Sequence, residues 1–145
     1  MSAYEGGCLC GQVRFRVTAP PINAGYCHCR MCQRNSGAPA VAWTIFPATS
    51  FRWIAGTPAT YKSSARAQRS FCANCGSYMV FTSEECPTEV SINTASLDDP
   101  SACPPRMHIF TENRIPWFRT DDDLPCHEGY GPVGPPAGTT AADRS

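Results

Sequence analysis

The sequence predicts a mainly β domain with short helical turns, built as a small β-sheet domain stapled by metal ions. Apolar and polar residues alternate in short segments, and the 145 residues include 14 Pro and 11 Gly. This composition favours many turns and few long helices. Seven of the ten cysteines also have the spacing of metal ligands, which can join strands that are distant in the chain. The length suits one domain.

Seven segments are predicted to be strands. In Gln12–Thr18 three apolar residues alternate with polar ones, which is typical of a half-buried strand. The continuous apolar run Val41–Phe46 suits a buried strand. The other predicted strands are Ser50–Trp53, Thr60–Ser63, Arg69–Cys72, Tyr78–Thr82 and Glu89–Asn93. Short helical turns are expected at Cys29–Asn35 and Ala95–Asp98.

Two regions are expected along the chain. Residues 1–128 form the folded domain, and residues 129–145 form a flexible tail rich in Gly and Pro that has little to bury. The 12 basic and 12 acidic residues give a formal net charge of zero. Because no basic stripe is visible, a nucleic-acid partner is not expected.

The cellular compartment can be predicted from the distribution of apolar residues along the chain. No apolar stretch approaches the roughly 18 residues that span a bilayer, and the N-terminus lacks a basic region followed by an apolar run. We therefore predict a cytoplasmic protein without a membrane partner, whose thiols stay reduced. Ten cysteines in such a compartment indicate metal binding or catalysis. The alternative is a disulfide scaffold whose signal segment has been removed.

Two cysteine pairs predict a structural zinc site. Alternate residues of a strand share a face, so Cys8 and Cys10 can face one ion. Cys72 and Cys75 form a Cys-x-x-Cys turn followed by Gly76, which is typical of a zinc knuckle. The pairs are about 60 residues apart, and a metal ion stabilises most where it closes a long loop. The alternative, a redox dithiol, usually requires a βαβ context, whereas the surroundings here resemble strands.

A second site is predicted from three cysteines within six residues: Cys27, Cys29 and Cys32. Three protein ligands leave one tetrahedral position for water or substrate, as in catalytic zinc sites. A soft set of three thiolates would suit a thiol substrate. A fourth protein ligand would close the site, and the candidates are His28, His108, His127, Cys86, Cys103 and Cys126. Of these, His28 is expected to point away from its neighbours as a core or supporting group.

These motifs together resemble the family of glutathione-dependent formaldehyde-activating enzymes and centromere protein V. The resemblance spans roughly residues 4 to 128. It is carried by Gly6-Gly7-Cys8-Leu9-Cys10-Gly11, Cys27-His28-Cys29-x-x-Cys32, Gly37-Ala38, Arg69-x-Phe71-Cys72-x-x-Cys75-Gly76-Ser77, Pro105-x-Met107-His108-Ile109-Phe110 and Pro116-Trp117.

The resemblance implies a β-tent-like fold with two zinc ions per chain. It implies a structural zinc on Cys8, Cys10, Cys72 and Cys75, and a second zinc on Cys27, Cys29 and Cys32. It also implies condensation of glutathione with formaldehyde to S-hydroxymethylglutathione, a carbon–sulfur lyase-type activity. No motif fixes the residues that contact glutathione.

The expected chemistry is addition of a thiol to a carbonyl, or its reverse, with the catalytic role on the ligands of the open zinc. Capture of the substrate thiolate is favoured, because three thiolates weaken the ion as a Lewis acid. Arg30, Arg34 and Arg69 could bind glutathione carboxylates. The alternative is a zinc-stapled binding or thiol-carrier module without turnover. In either case an apolar pocket could be lined by Trp43, Trp53, Trp117 and Tyr78.

Overall fold

The structure, a computed structural model, describes residues 3–135. Within this range the chain forms ten strands: β1 Tyr4–Gly7, β2 Arg14–Val17, β3 Asn23–Cys27, β4 Val41–Pro47, β5 Phe51–Ala55, β6 Ala59–Lys62, β7 Ala67–Phe71, β8 Tyr78–Ser83, β9 Glu89–Asn93 and β10 His108–Ile109. One α-helix, α1 Arg30–Ser36, occurs in the same range. Short 3-10 turns lie at Ala48–Ser50, Thr94–Ser96, Pro100–Ala102 and Thr111–Asn113.

The strands form two sheets. The small sheet has the order β1-β2-β5, and the large sheet has the order β10-β3-β4-β9-β8-β7-β6. Neighbouring strands are antiparallel except for β10, which pairs in parallel with β3. The parallel pair brings the late segment around His108 beside Cys27, although 80 residues separate His28 from His108.

Strand β4 divides the interior into two apolar clusters. Phe46 points to the first cluster, where it packs with Phe15 and Val17 of the small sheet. Trp43 and Ile45 point to the second cluster on the opposite face. Successive side chains of a strand alternate between faces, so a strand buried on both faces has the continuous apolar run that the sequence shows. Each large side chain of this kind contributes about 1.5–3 kcal/mol by leaving water.

The second cluster is thinner than the first and depends on a close approach at Gly25. A Cβ atom added at Gly25 would lie 2.6 Å from Cζ2 of Trp43 and 2.7 Å from the backbone oxygen of Met107. Only glycine leaves room there for Trp43 and the Met107 backbone to come this close to β3. The cavity described below lies on this face of the large sheet.

The mainly β prediction is confirmed. Each of the seven predicted strands occurs, with ends within two residues of those expected, and the helical turn at Cys29–Asn35 is α1. The predicted turn at Ala95–Asp98 is the 3-10 turn Thr94–Ser96. Three strands were not predicted: β1, which ends in two glycines, β3, which lacks a clear alternation of apolar and polar residues, and β10, which has only two residues.

The boundary at residue 128 stays a prediction. Among the described residues beyond it, Val133 packs against the second cluster, and the Tyr130 ring lies 5.1 Å from that of Phe110. Residues 136–145 of the predicted tail lie outside the described residues. No helix between residues 3 and 135 has the length and apolar character needed to cross a bilayer.

Candidate functional site

Two tight turns form the first cysteine cluster. The turn from Cys8 to Gly11 is closed by a hydrogen bond from the Gly11 N–H to the Cys8 oxygen, 3.1 Å. The turn from Cys72 to Gly76 is closed in the same way, at 2.8 Å. Both glycines have a left-handed φ, +80° and +79°, which favours glycine at these two positions. The turns bring together the sulfur atoms of Cys8, Cys10, Cys72 and Cys75, all within 4.8 Å of one another.

The placement of Cys8 and Cys10 on a strand was wrong. Strand β1 ends at Gly7, and both cysteines lie in the turn that follows. A turn serves the purpose better, because its backbone N–H groups can point at the sulfur atoms. The chain just after this turn folds back, and the Val13 N–H donates to Cys8 Sγ at 3.3 Å.

The sulfur spacing in this cluster fits a tetrahedral metal ion. Four sulfurs about 2.3 Å from a central ion lie about 3.8 Å from each other. The Sγ atoms of Cys8 and Cys10 are 3.5 Å apart, and those of Cys10 and Cys72 are 3.7 Å apart. The four residues therefore have the number, type and spacing of ligands in a closed site.

The Ser77 hydroxyl links the two turns, a role that the sequence reading missed. It accepts a hydrogen bond from the Leu9 N–H at 3.0 Å and lies 3.2 Å from Cys75 Sγ, to which it can donate. Hydrogen bonds from the hydroxyl and backbone N–H of Ser77 lower the pKa of the Cys75 thiol to about 5. Such support favours the thiolate, the form that binds metal.

The second cysteine cluster lies where β3 meets α1. Cys27 is the last residue of β3, Cys29 caps the N-terminus of α1, and Cys32 lies in its first turn. Their sulfur atoms lie within 4.8 Å of one another. The Cys32 N–H donates to Cys29 Sγ at 3.2 Å. Hydrogen bonds from the Cys27 and Cys32 thiols lower the pKa of Cys29 to about 3, whereas the same coupling raises the pKa of the Cys27 thiol. The geometry of the three sulfur atoms, rather than the acidity of any one thiol, makes this set a candidate to hold a metal ion.

No fourth ligand joins these three cysteines among residues 3–135. His28 lies between two of them in sequence, but its ring is fully buried and points elsewhere, as predicted. Its Nε2 lies 2.8 Å from Nδ1 of His108, whose own Nε2 lies 3.0 Å from a carboxylate oxygen of Asp122. Burial lowers the pKa of His28 to about 4, so the ring is neutral. These contacts from His28 through His108 to Asp122 connect the loop before α1 with the end of the folded region. The part played by Asp122 was not predicted.

The three-cysteine cluster opens into a cavity of about 590 Å³, which is within the range of small-molecule sites. All three cysteines line it, and so does one face of β4 through Val41, Trp43 and Ile45. The predicted Arg30 and Arg34 also reach the cavity. The first cluster does not: its four cysteines are absent from the lining. The two cysteine sets therefore differ in access as well as in ligand number.

Arg69 places a buried positive charge beside the three-cysteine cluster. Its side chain is 4% exposed, and its guanidinium carbon lies 5.4 Å from the ring centre of Tyr78 and 5.1 Å from that of Phe81. Nη1 donates to the Tyr78 hydroxyl at 3.3 Å, and Nη2 donates to Cys32 Sγ at 3.7 Å. Nε of Arg69 and Nε1 of Trp43 are buried without a hydrogen-bond partner among the described residues. Both residues contribute other atoms to the lining of the cavity.

The profile of one protein family, described as glutathione-dependent formaldehyde-activating enzyme, matches residues 3–113. The chain belongs to this family. The match contains all seven cysteines of the two clusters, as well as Ser77, Arg69 and His108. Asp122 lies beyond the matched residues.

Three relatives have been compared with the chain. A Halomonas elongata protein named as a candidate glutathione-dependent formaldehyde-activating enzyme is 28% identical over 137 residues, covering 87% of each protein. An uncharacterised lyase of Schizosaccharomyces pombe is 34% identical over 83 residues, covering 56% of this chain and 58% of the relative. The crystal structure of a Rhodobacter sphaeroides protein superimposes with a TM-score of 0.54 and 26% identity, over 65% of this chain and 87% of that one.

The other residues singled out from sequence have varied positions. Trp43, Tyr78 and Cys86 line the cavity. Trp53 packs against the first apolar cluster, and Cys103 is buried within it. In contrast, the side chains of Trp117 and Cys126 are exposed.

We predict that Ser77→Ala weakens metal binding at the four-cysteine set by about 10- to 100-fold, because a supporting hydrogen bond to a ligand is lost. The measurement is the apparent affinity for the most tightly held ion, obtained by competition with a chelator. Ser101→Ala is the matched control, since the Ser101 hydroxyl bonds only to Asp99 among the described residues. Equal affinities for Ser77→Ala and wild type would contradict the role given to this hydroxyl.

Proposed function

We propose that the chain is a zinc-dependent enzyme that adds the glutathione thiol to formaldehyde, giving S-hydroxymethylglutathione, and that also catalyses the reverse cleavage of the carbon–sulfur bond. One observation carries the proposal: a three-cysteine set, without a fourth ligand among residues 3–135, lines a cavity of about 590 Å³. Membership in a family named for this activity supports it. Thiol addition needs a site that a thiol can enter, and the three-cysteine set satisfies that need.

Zinc is the ion proposed for both sets. Sets of three or four thiolates favour soft or borderline ions, and tetrahedral sulfur sites are typical of zinc. Cys8, Cys10, Cys72 and Cys75 would hold a structural ion, and Cys27, Cys29 and Cys32 would hold the second. Zinc in the second set would supply a position where a substrate thiol loses its proton and becomes a nucleophile.

Side chains of the cavity would offset charge, bind the substrate carboxylates and exclude water. Arg69 offsets the negative charge that three cysteines and a substrate thiolate bring together, because its guanidinium lies against Cys32. Arg30 and Arg34 offer guanidinium groups for substrate carboxylates. The apolar side chains of β4 exclude water, which strengthens these interactions.

Tyr78 is assigned as the hydrogen-bond donor to the aldehyde oxygen. Its hydroxyl already accepts from Arg69, so its own proton is available to the cavity that it lines. Burial raises the pKa of Tyr78, which keeps that proton in place at neutral pH. As the carbon–sulfur bond forms, the carbonyl oxygen gains negative charge and then the proton that the thiol gave up. A fixed donor at that oxygen lowers the barrier.

We predict that the wild-type protein accelerates exchange between free glutathione and its hydroxymethyl adduct. Exchange NMR at equilibrium is the appropriate measurement, because the adduct also forms without enzyme. Cys29→Ser should lose this acceleration and about one ion per chain while keeping its fold, since its three-cysteine set closes no long loop. Cys75→Ser is the contrasting variant and should unfold, because its ion joins distant parts of the chain.

Two outcomes would contradict these assignments. An exchange rate equal to that of the uncatalysed mixture, with both ions bound, would remove the reaction and leave a binding or thiol-carrier module. Unfolding of Cys29→Ser would show that the second ion is structural.

We also predict that Tyr78→Phe lowers kcat/KM about 100-fold, the usual cost of losing one donor to a developing oxyanion. The number of bound ions should not change, because Tyr78 is not a ligand. Tyr61→Phe is the matched control, with a side chain that is 65% exposed. Unchanged kinetics in Tyr78→Phe would transfer the donor role to another group.

A further inference from the structure

His28 lies between the first two cysteines of the three-cysteine set, and hydrogen bonds hold both its backbone and its ring. Its backbone N–H donates to the Ile109 oxygen at 3.1 Å. Its backbone oxygen accepts from Nε2 of Gln33 at 2.7 Å. Nε2 of its ring lies 2.8 Å from Nδ1 of His108. Because this single residue joins the two cysteines, its orientation determines how the backbone turns between them.

The ring of His28 relies on His108 for hydrogen bonding. The ring is fully buried, and its Nδ1 has no hydrogen-bond partner among residues 3–135. Within the described residues, Nε2 is therefore the ring atom through which hydrogen bonding holds the side chain. The His108 ring is also buried, and the centres of the two rings are 5.0 Å apart. Without this bond the His28 ring would be a buried polar group with no partner, which is unfavourable.

Asp122 sets the direction of the hydrogen bonds between the two rings. Its carboxylate oxygens lie 3.0 and 3.1 Å from Nε2 of His108. An ionised carboxylate only accepts hydrogen bonds, so Nε2 of His108 carries a proton. In a neutral His108 ring Nδ1 is then an acceptor, and it accepts from the Nε2–H of His28. The Leu124 N–H donates to Oδ1 of Asp122 at 3.1 Å and fixes the carboxylate in this position.

We propose that Asp122 is a positioning residue for the metal ion of the three-cysteine set and acts through His108 and His28. The inference rests on the proposed function, in which these cysteines hold the second zinc. Three protein ligands of a tetrahedral ion determine where its open position points. Hydrogen bonds that orient the groups around a metal site commonly raise its affinity for the ion. Asp122 contacts neither the cysteines nor the cavity, so its effect falls on the geometry and affinity of the second ion.

The four-cysteine set distinguishes positioning from general stability. Its sulfur atoms are supported by Val13 and Ser77. Within residues 3–135 no hydrogen bond joins this set to Asp122, His108 or His28. Loss of the Asp122 carboxylate should therefore weaken the second ion and leave the first unchanged, whereas a general loss of stability would weaken both.

The test compares wild type with Asp122→Ala, loaded with zinc or with cobalt. We expect the affinity for the second ion, identified as the ion that Cys29→Ser loses, to fall about tenfold in a competition with a chelator. The cobalt absorption of that site should shift, since it reports ligand geometry. Asp122→Asn keeps an acceptor oxygen and should restore both properties. Asp123→Ala is the matched control, because Asp123 is the exposed neighbour, and it should behave as wild type.

Each other outcome overturns the inference or separates it from the proposed function. Unchanged affinity for the second ion in folded Asp122→Ala overturns the inference, and so does an equal loss at both ions. If Asp122→Ala does not fold, nitrogen NMR of the wild-type histidine rings decides. Protons on Nε2 of both His28 and His108 are expected, and a proton on Nδ1 of His108 overturns the inference. A wild-type chain that binds only one ion contradicts the proposed second zinc instead.

Discussion

The meeting of two cysteine turns is the constraint on which the rest of the structure depends. One turn follows the first strand of the small sheet, and the other joins β7 to β8 of the large sheet. With Cys10 and Cys72 only 3.7 Å apart, the small sheet is held against one face of the large sheet. That face then encloses the first apolar cluster. Within residues 3–135 no second sheet covers the opposite face, and the cavity lies there.

The two cysteine sets differ in the number of their sulfur atoms and in their access to the cavity. The four-cysteine set is complete and lies away from the cavity, so it can stabilise the fold without meeting substrate. The three-cysteine set forms where β3 gives way to α1, and its position on the uncovered face exposes it to the cavity. Arg69 connects the two regions, because β7 carries it to Cys32 and then continues to Cys72. The fold therefore places the three-cysteine set in the wall of the cavity and keeps the four-cysteine set out of it.

Much of this could be predicted from sequence, because ligand spacing and strand alternation are local signals. The seven cysteines separate into the expected sets, and the β-rich fold agrees with the alternating segments. Long-range contacts were not predictable. Nothing local shows that Ser77 meets Leu9, or that His108 brings Asp122 to His28. The strand predicted for Cys8 and Cys10 was wrong because the turn after Gly7 also brings their sulfur atoms within 3.5 Å of each other.

The central claim is that the three-cysteine set accepts a substrate thiol while the four-cysteine set does not. The most direct measurement is the visible absorption of the cobalt-substituted protein during addition of glutathione, since cobalt absorption reports a change of ligands. We expect that the absorption of one of the two ions changes and that Cys27→Ser abolishes the change. An unchanged spectrum at millimolar glutathione, with both ions bound, would contradict the claim.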